Sequence, residues 1–270
     1  MPELPEVETT RRGIEPWVAG HVVAQLIVRT PKLRWPVPPA LIRELPGQRI
    51  ERVTRRAKYL LLETPIGSAI VHLGMSGSLR VVAPQDPLRK HDHIDLLLDS
   101  GSVLRFHDPR RFGAWLWQPV GCTHRALRDL GPEPLAPDFN ADDLWRASRG
   151  RRASIKNLIM DQRVLVGVGN IYAAEALFHA GIDPRRAAGR VARARYSRLG
   201  EAVRQVLGHA IARGGTTLRD FVAPDGAPGY FEQELYVYGR AGQPCKTCGT
   251  ALKQTQLGQR ASVWCPRCQT

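Results

Sequence analysis

Four of the chain's five cysteines lie in its last 26 residues, as two C-x2-C pairs. Cys245 and Cys248 form the first pair, Cys265 and Cys268 form the second, and 16 residues separate the pairs. Two hairpin knuckles with this spacing bring four thiolates to one tetrahedral site, so the sequence predicts one structural Zn²⁺ held by these cysteines. The alternatives are disulfides, which a reducing cytosol disfavours, and redox-active C-x2-C motifs, which normally occur singly beside a βαβ pattern. We interpret the fifth cysteine, Cys122, as an ordinary small residue.

The chain is strongly basic, with 39 Lys and Arg against 25 Asp and Glu and a formal net charge of +14. This excess favours an anionic partner, and nucleic acid is the commonest such partner. No apolar run approaches the roughly 18 residues that cross a bilayer, and the charged start lacks a signal-peptide core. We therefore expect a cytoplasmic protein with no membrane partner. A length of 270 residues, 43% of them hydrophobic, predicts two domains with sizeable cores ahead of the zinc finger.

Residues 21–118 follow an amphipathic first helix that is expected to end near Gly20, and they contain short apolar or alternating runs. These runs are HVVAQLIV, YLLLE, AIVHLGM, SLRVV, HIDLLL, VLRF and AWLW. Turn signals separate them at Thr64-Pro65, Gly67-Ser68 and Ser100-Gly101. Such a pattern is typical of an antiparallel β-sandwich or barrel.

A proline-rich passage, GPEPLAPDF at 131–139, ends the strand pattern. Helical periodicity follows over about 140–213 and is closed by Gly214-Gly215. Residues 216–244 carry many glycines and prolines, which predicts a long loop, and loops of this kind are often functional lids.

The segment VLVGVGNIYAAEALF lies in the helical part. Gly167 and Gly169 permit a tight turn, and Asn170 stands where the next helix begins. A helix N-terminus offers free N–H groups and a positive dipole end, so a phosphate could bind there with Asn170 as a further donor. A plain packing corner between two helices would use the same residues, and G-x-G without a third glycine is no dinucleotide fingerprint.

The N-terminus, MPELPEVETTRR, places Pro2 behind the initiator methionine and Glu3 and Glu6 close after it. The structural interpretation is a helix start, since proline and acidic residues suit a first turn. The chemical interpretation is that removal of Met1 leaves Pro2 with a free secondary amine, a nucleophile that attacks carbonyl carbon and forms an iminium.

Three clusters in the β-rich part each allow a functional and a structural interpretation. Lys58 in RRAKYLLLE starts an apolar strand, where its ammonium could serve an active site or snorkel at a sheet edge. Met75 in HLGMSGSL lies in a predicted turn that would project it outward, although methionine usually fills cores. Arg110, Arg111 and Phe112 in HDPRRFGAW combine cations with an aromatic ring at a predicted loop tip, which is chemistry suited to entering a DNA helix.

These motifs occur in one order with several others, and together they resemble the bacterial formamidopyrimidine-DNA glycosylase family over essentially the whole chain. The stretches that carry the resemblance are PELPEVETTRRGIEP, RRAKYLLLE, HLGMSGSLR, KHDHIDL, DPRRFGAWLW, LGPEPL, VGVGNIYAAEALF, GGTTLRDF, PGYF, VYGRAGQPC and the terminal C-x2-C pairs.

The resemblance implies an α+β fold in three parts. An N-terminal antiparallel β-sandwich with flanking helices is expected over residues 1–130 as the catalytic domain. A helical helix-two-turns-helix domain is expected over 131–235, with a lesion-recognition loop from Thr216 to Tyr238. A four-cysteine zinc-ribbon finger is expected over 236–270.

The resemblance also implies a bifunctional base-excision-repair enzyme that removes 8-oxoguanine and formamidopyrimidines and then cuts the abasic site by β,δ-elimination. Pro2 matches the nucleophile that attacks C1′ and forms a Schiff base. Its α-amino group titrates near 8, against about 10.4 for lysine, so more of it is unprotonated at neutral pH. Glu3 matches the general acid/base, with Glu6 in support. Lys58 matches the lysine associated with β-elimination, and Arg260 matches the arginine associated with δ-elimination and phosphate contact.

The expected partner is double-stranded DNA that contains an oxidised purine or an abasic site, bound by a monomer in the bacterial cytoplasm at the nucleoid. DNA-contacting positions of the family match His91, Arg110, Arg151 and Asn170. Many relatives carry lysine at the position of Arg151, and either residue supplies the charge. The residues that match those filling the gap left by the extruded base are Met75, Arg110 and Phe112.

The sequence is also compatible with two alternatives. An endonuclease VIII-like enzyme would prefer oxidised pyrimidines, but its start typically reads PEGPE, whereas this chain has Leu4 in PELPE and retains the three gap-filling residues. A non-enzymatic zinc-ribbon DNA-binding protein would explain the charge and the cysteines but would need no free Pro2.

Overall fold

The computed structural model of the chain describes residues 2–215 and 234–270. These residues form two compact units. The first unit contains the described residues up to Arg128 together with 213–215, and the second contains Asp129–Ala212 together with 234–270. Most of the predicted lesion-recognition loop, residues 216–233, lies outside the described residues, and the three domain boundaries stay a prediction.

The first unit is built mainly of short strands. Its elements are α1 (Leu4–Val18), β1 (Val23–Val28), α2 (Pro39–Glu44), β2 (Arg52–Arg56), β3 (Tyr59–Thr64), β4 (Gly67–His72), β5 (Ser78–Val82), β6 (Asp92–Leu98), β7 (Val103–His107), β8 (Ala114–Pro119) and α3 (Arg125–Arg128).

Two four-stranded antiparallel sheets make up this unit. One has the strand order β1-β6-β7-β5 and the other the order β2-β3-β4-β8. Side chains from both sheets share one hydrophobic core, in which Leu60 and Trp115 of the second sheet join Leu96 and Phe106 of the first. The predicted α+β class with antiparallel N-terminal sheets is confirmed.

Helix α1 contributes Val7, Ile14 and Val18 to that core. The three residues recur at intervals of seven and four, so they lie on one face of the helix. The helix contacts strands β2, β3 and β5, and this packing fixes its N-terminal end against the first unit.

Two details of the strand prediction are wrong. Gly67 was predicted as a turn residue, but it begins β4, where a Cβ would lie 2.5 Å from the Gln118 carbonyl oxygen of the neighbouring strand β8. Glycine is therefore needed there for close approach of two strands, not for a turn. Strand β2, with the sequence RVTRR, lacks an apolar run and forms because it pairs in register with β3.

The second unit is helical and ends in a small hairpin. Its elements are α4 (Ala141–Ser148), α5 (Ile155–Met160), α6 (Asn170–His179), a 3₁₀ turn (Ala188–Arg190), α7 (Arg193–Ala212), β9 (Lys253–Leu257) and β10 (Arg260–Trp264). Helix α6 packs on α5, α7 and β10. Within the described ranges, no helix is both long and apolar enough to cross a membrane.

Candidate active site and nucleic-acid interface

The start of α1 holds two carboxylates in fixed positions. Glu3 occupies the N-cap with an extended backbone (φ -103°, ψ -170°) and is 2% exposed. Its backbone N–H donates to Oε2 of Glu6 at 2.8 Å, and the two residues form a capping box. Glu6 itself is fully buried. Because this N–H belongs to the peptide bond between Pro2 and Glu3, Glu6 holds that peptide group in place at the start of the helix.

Lys58 lies in the turn between β2 and β3, one residue before the strand that the sequence predicted it to start. It is 7% exposed. Arg55 donates to the carbonyl oxygen of Ala57 at 2.9 Å and, through Nε, to Oε2 of Glu8 at 3.2 Å. Since Glu8 is on α1, Arg55 ties the turn that carries Lys58 to the helix that carries Glu3.

Glu8 is the ionic centre of this arrangement. It accepts hydrogen bonds from Arg11, Arg12 and Arg55. Burial alone would raise the pKa of Glu8, but the hydrogen bonds from Arg11 and Arg12 outweigh burial and hold the pKa below its usual value. Glu8 therefore stays ionised and keeps α1 and β2 joined at neutral pH.

His72 is a residue of this region that the sequence analysis did not select. It faces Tyr59 across β3 and β4, with ring centroids 4.8 Å apart. Burial, and then the positive charges of Lys58 and Arg34, lower the pKa of His72 to about 4. Its Nδ1 accepts the backbone N–H of Gly74 at 3.0 Å. The neutral imidazole therefore carries its proton on Nε2. The sequence signal that could have identified His72 is its position in HLGMSG, a stretch that carries the family resemblance.

The three predicted gap-filling residues lie on two loops of the first unit. Met75 is half-buried in the loop between β4 and β5, whereas Arg110 and Phe112 are exposed in the loop between β7 and β8. The Arg110 guanidinium lies 5.0 Å from the centroid of the Phe112 ring. The structure thus presents a cation stacked on an aromatic ring at one loop tip.

A buried hydrogen-bond cluster, which we call the loop clasp (Ser76, Asp108 and Gly113), joins these two loops. The Ser76 hydroxyl donates to one carboxylate oxygen of Asp108 at 2.8 Å, and the Gly113 N–H donates to the other at 2.8 Å. Ser76 Oγ also accepts the N–H of Arg110 at 3.2 Å. Asp108 is fully buried. The loop clasp therefore fixes the spacing between the loop of Met75 and the loop of Arg110.

Close backbone packing reinforces the loop clasp. Gly74 has a φ of 70°, and a Cβ there would lie 2.4 Å from both the Gly113 nitrogen and the Phe112 carbonyl carbon. Only glycine fits this position, because the left-handed conformation and the contact both exclude a side chain.

His91 lies close to the same loops. Its backbone has a φ of 80°, and its carbonyl oxygen accepts the N–H of Asp108 at 3.0 Å. The rings of His93 and His107 lie edge-on to it, each with its centroid 6.1 Å away. The half-buried His91 side chain is therefore placed beside the start of the loop that carries Arg110.

In the second unit, Asn170 begins α6, as predicted. Gln162 shapes the turn before it by accepting the N–H of Gly167 at 2.8 Å and donating to the carbonyl oxygens of Met160 and Val168 at 3.1 Å. Asn170 Oδ1 is buried and has no hydrogen-bond partner within residues 2–215 and 234–270. The turn thus delivers an amide side chain with an unsatisfied oxygen to a helix N-terminus.

The four cysteines form one cluster, with all Sγ atoms within 4.8 Å of one another. The Sγ atoms of Cys245 and Cys268 are 3.9 Å apart, and those of Cys248 and Cys265 are 3.5 Å apart. A tetrahedral site with Zn–S bonds of about 2.3 Å requires S–S separations near 3.8 Å. The cluster fits one structural Zn²⁺, and four thiolates leave no open coordination position for catalysis.

The hairpin of β9 and β10 carries Arg260, which is exposed at the start of β10. Lys156 of α5 is 1% exposed, and its Nζ donates to Ser262 Oγ at 2.8 Å and to the Ala261 carbonyl oxygen at 3.2 Å. A Cβ on Gly258, in the hairpin turn, would lie 3.0 Å from the Asn157 amide nitrogen, so the turn also contacts α5. Helix α5 therefore supports the hairpin at the residues next to Arg260.

Arg151 is exposed in the connection between α4 and α5. Its backbone carbonyl oxygen accepts the N–H of Gly189 at 3.0 Å, so the connection is held by the segment around the 3₁₀ turn.

The predicted site residues thus divide between the two units. Those in the first unit are Pro2, Glu3, Glu6, Lys58, Met75, His91, Arg110 and Phe112, and those in the second are Arg151, Asn170, Arg260 and the four cysteines. Sequence reasoning missed the polar residues that hold them, including half-buried Arg55 and buried Ser76, Asp108 and Lys156, since their partners are distant in sequence.

Comparison with known families gives matches over most of the chain. The family model described as "Formamidopyrimidine-DNA glycosylase N-terminal domain" matches residues 1–115, and "Formamidopyrimidine-DNA glycosylase H2TH domain" matches residues 130–222. "Zinc finger found in FPG and IleRS" matches residues 242–270.

Full-length relatives are similar throughout. The formamidopyrimidine-DNA glycosylase of Stenotrophomonas maltophilia K279a is 64% identical over 269 residues, and that of Xanthomonas campestris pv. campestris B100 is 60% identical over 270 residues. Both alignments cover 100% of each chain.

Solved structures show the same similarity. The Fpg protein of Thermus thermophilus is 38% identical with a TM-score of 0.89, covering 99% of this chain and 98% of that chain. Lactococcus lactis Fpg, crystallised with Fapy-dG-containing DNA, is 30% identical with a TM-score of 0.90, covering 99% and 100%. The same protein, in complex with DNA that contains an abasic site, is 30% identical with a TM-score of 0.90 and covers 99% of each chain.

Proposed function

Because the chain belongs to the formamidopyrimidine-DNA glycosylase family and is a DNA glycosylase with a four-cysteine zinc finger, we propose that it excises oxidised purines from duplex DNA and then cuts the abasic site. The proposed substrates are 8-oxoguanine and formamidopyrimidines. The Lactococcus lactis relative has been crystallised with DNA containing Fapy-dG and with DNA containing an abasic site, which supports both halves of this proposal. Such a substrate would place the enzyme in the bacterial cytoplasm.

The observation that carries the proposal is the N-terminal geometry. Oε2 of Glu6 accepts the Glu3 backbone N–H at 2.8 Å and so holds the peptide group between Pro2 and Glu3. Once Met1 is removed, the Pro2 secondary amine attacks C1′ of the damaged nucleotide, and the bond from C1′ to the base nitrogen breaks. Glu3 supplies the proton that the departing base or the sugar ring oxygen requires. Opening of the sugar then leaves a Schiff base between Pro2 and C1′.

The Schiff base accounts for strand cutting. It acidifies the C2′ proton, whose removal expels the 3′ phosphate in the β-elimination, and a second elimination expels the 5′ phosphate. Lys58, positioned through Arg55, serves the first elimination, and its ammonium also suits a phosphate next to the lesion. Arg260, on the hairpin that Lys156 supports, serves the second.

The remaining site residues would hold the DNA. Asn170 at the start of α6 and exposed Arg151 offer donors and charge to backbone phosphates. His91 lies beside the loop of Arg110 and would contact the same strand region. The base must leave the stack before it can be excised, at a cost of a few kcal/mol, and the exposed Phe112 and Arg110 with Met75 would fill the vacated space.

An N-terminal blocking experiment tests this proposal. A version with an uncleaved N-terminal extension should lose excision of 8-oxoguanine placed opposite cytosine while retaining salt-sensitive duplex binding, because the extension converts the Pro2 amine to an amide and leaves the basic residues unchanged. The matched control carries the same extension at the C-terminus and should remain active. Full excision by the N-terminally extended protein would refute the role of Pro2. Excision of an oxidised pyrimidine in preference to 8-oxoguanine would refute the substrate class.

A further inference from the structure

The segment PRRAAGRVARARYSR, residues 184–198, is the most arginine-dense part of the chain and has no role in the proposed chemistry. It contains six arginines and no acidic residue. It includes the 3₁₀ turn and the start of α7 in the second unit.

Backbone pairing places this segment beside the connection between α4 and α5. The N–H of Gly189 donates to the Arg151 carbonyl oxygen at 3.0 Å, and that of Ala188 donates to the Ala153 carbonyl oxygen at 2.8 Å. Ser154 and Ala187 form an antiparallel bridge next to them. The two stretches that carry Arg151 and Arg152, and Arg186 and Arg190, therefore lie side by side at the surface of the second unit. We call this the arginine surface, formed by Arg151, Arg152, Arg186 and Arg190.

All four residues of the arginine surface are exposed. Neighbouring arginines are neutralised: Arg185 pairs with Asp183 at 2.6 Å, and Arg193 pairs with Asp142. Among the residues whose placement is described, none of the four in the arginine surface has a carboxylate within ion-pair distance. A cleft of about 470 Å³ opens beside Arg186 and Arg190, and Asp183, Arg185 and Thr270 also line it. The Asp183 carboxylate in this cleft pairs with Arg185. The guanidinium groups of Arg186 and Arg190 therefore face open space without an ion-pair partner in the described ranges and can bind an anion.

We propose that the arginine surface binds backbone phosphates of the duplex and so extends DNA contact beyond the catalytic site. The proposal rests on the proposed function, since Arg151 is one of its DNA-contacting residues and shares a backbone hydrogen bond with this segment. The proposal adds Arg152, Arg186 and Arg190 to the residues that contact the DNA backbone.

The surface chemistry favours DNA over an acidic protein. A protein interface normally has an apolar, aromatic-rich centre. In the described part of the chain, every exposed large hydrophobic residue lies at position 120 or earlier, in the first unit, and none lies on the arginine surface. A surface whose exposed charges are mainly arginines matches the phosphate backbone, whose contacts carry no base information.

The salt dependence of binding tests this proposal. Each phosphate contact contributes a slope of about -0.9 to the plot of log affinity against log salt concentration. The variant Arg186→Gln/Arg190→Gln should therefore bind a duplex of about 30 base pairs, carrying a tetrahydrofuran abasic analogue, with a slope that is smaller in magnitude by about 2. Between about 50 and 200 mM salt, the wild-type protein should lose about 12-fold more affinity than the variant.

The matched control is Arg163→Gln/Arg193→Gln, which makes the same charge change at two exposed arginines that are paired with Asp161 and Asp142. Its slope should stay at the wild-type value. An unchanged slope in the Arg186/Arg190 variant, or an equal change in the control, would overturn the proposal. Displacement of the duplex from the wild-type protein, but not from the Arg186/Arg190 variant, by polyglutamate would instead assign the surface to acidic chains.

This test distinguishes a failure of the arginine-surface proposal from a failure of the proposed function. Excision under single-turnover, saturating conditions at low salt should be the same in both variants and in the wild type. Wild-type protein that binds the duplex but does not excise would contradict the proposed function, and the comparison of slopes would still decide the arginine surface.

Discussion

Removal of the Ser76 hydroxyl should disturb base extrusion more than strand cutting. In the loop clasp, this hydroxyl donates to fully buried Asp108 at 2.8 Å and accepts the N–H of Arg110 at 3.2 Å. Ser76→Ala removes both bonds and leaves the Asp108 carboxylate with its remaining clasp partner, the Gly113 N–H, at 2.8 Å. The loop of Met75 and the loop of Arg110 are then joined less firmly.

The magnitude follows from the burial of the carboxylate. A hydrogen bond to a charged group contributes about 1.5–3 kcal/mol, and a partner left buried costs a similar amount. If that free energy holds the two loops in the arrangement that fills the gap, its loss should slow excision of 8-oxoguanine by about tenfold to a hundredfold, since about 1.4 kcal/mol is tenfold in rate. Cutting at a preformed abasic site needs no base to be extruded and should change by less than about threefold.

Single-turnover kinetics on the two substrates measure this difference directly. Ser78→Ala is the matched control, because Ser78 is also buried, lies two residues further along, and its hydroxyl makes no hydrogen bond within the described residues. Denaturant unfolding of both variants shows whether the fold is retained. Equal slowing of the two reactions, or unchanged excision by Ser76→Ala, would refute the role of the loop clasp.

Three further predictions concern protonation and the zinc hairpin. The pKa of His72 is lowered by burial from its ordinary 6.5 to about 4, so the unfolded chain binds a proton between these values that the folded chain does not. The free energy of unfolding should therefore fall by about 3 kcal/mol as pH drops from 6.5 to 4. In denaturant unfolding at several pH values, His72→Gln should lose this pH dependence, and the same pH dependence in the variant and the wild type would contradict the prediction. Lys156→Met removes two hydrogen bonds to the hairpin, so δ-elimination products should decrease relative to β-elimination products, whereas Lys253→Met, at an exposed lysine, should leave the ratio unchanged. Removal of zinc by a chelator should unfold the ribbon and weaken duplex binding and strand cutting, because Arg260 loses its support; an apoprotein that cuts DNA normally would exclude this role.

The parts of the fold that were predictable are those encoded locally. The zinc site was predictable because C-x2-C pairs need only two short turns, and the central strands were predictable because their apolar runs are uninterrupted. Strand β2 was not, since its sequence RVTRR is polar and its pairing with β3 alone makes it a strand. Gly67 was misassigned because the sequence does not show which backbone approaches it.

The candidate site shows the same contrast between local motifs and long-range contacts. Pro2, Lys58 and Arg260 lie in motifs that the sequence displays, but the residues that position them form long-range contacts. Ser76 and Asp108 are 32 residues apart, and Lys156 and Ser262 are 106 apart. No local pattern encodes such pairs, so only the folded structure shows them.

Borohydride trapping tests the central claim most directly. The mature protein is mixed with a duplex that carries 8-oxoguanine opposite cytosine, borohydride is added to reduce any iminium, and the adduct is located by peptide mass. The proposed mechanism predicts a single adduct on the N-terminal peptide, at Pro2. An adduct on Lys58 or another lysine, or excision and strand cutting with no trapped adduct, would contradict it.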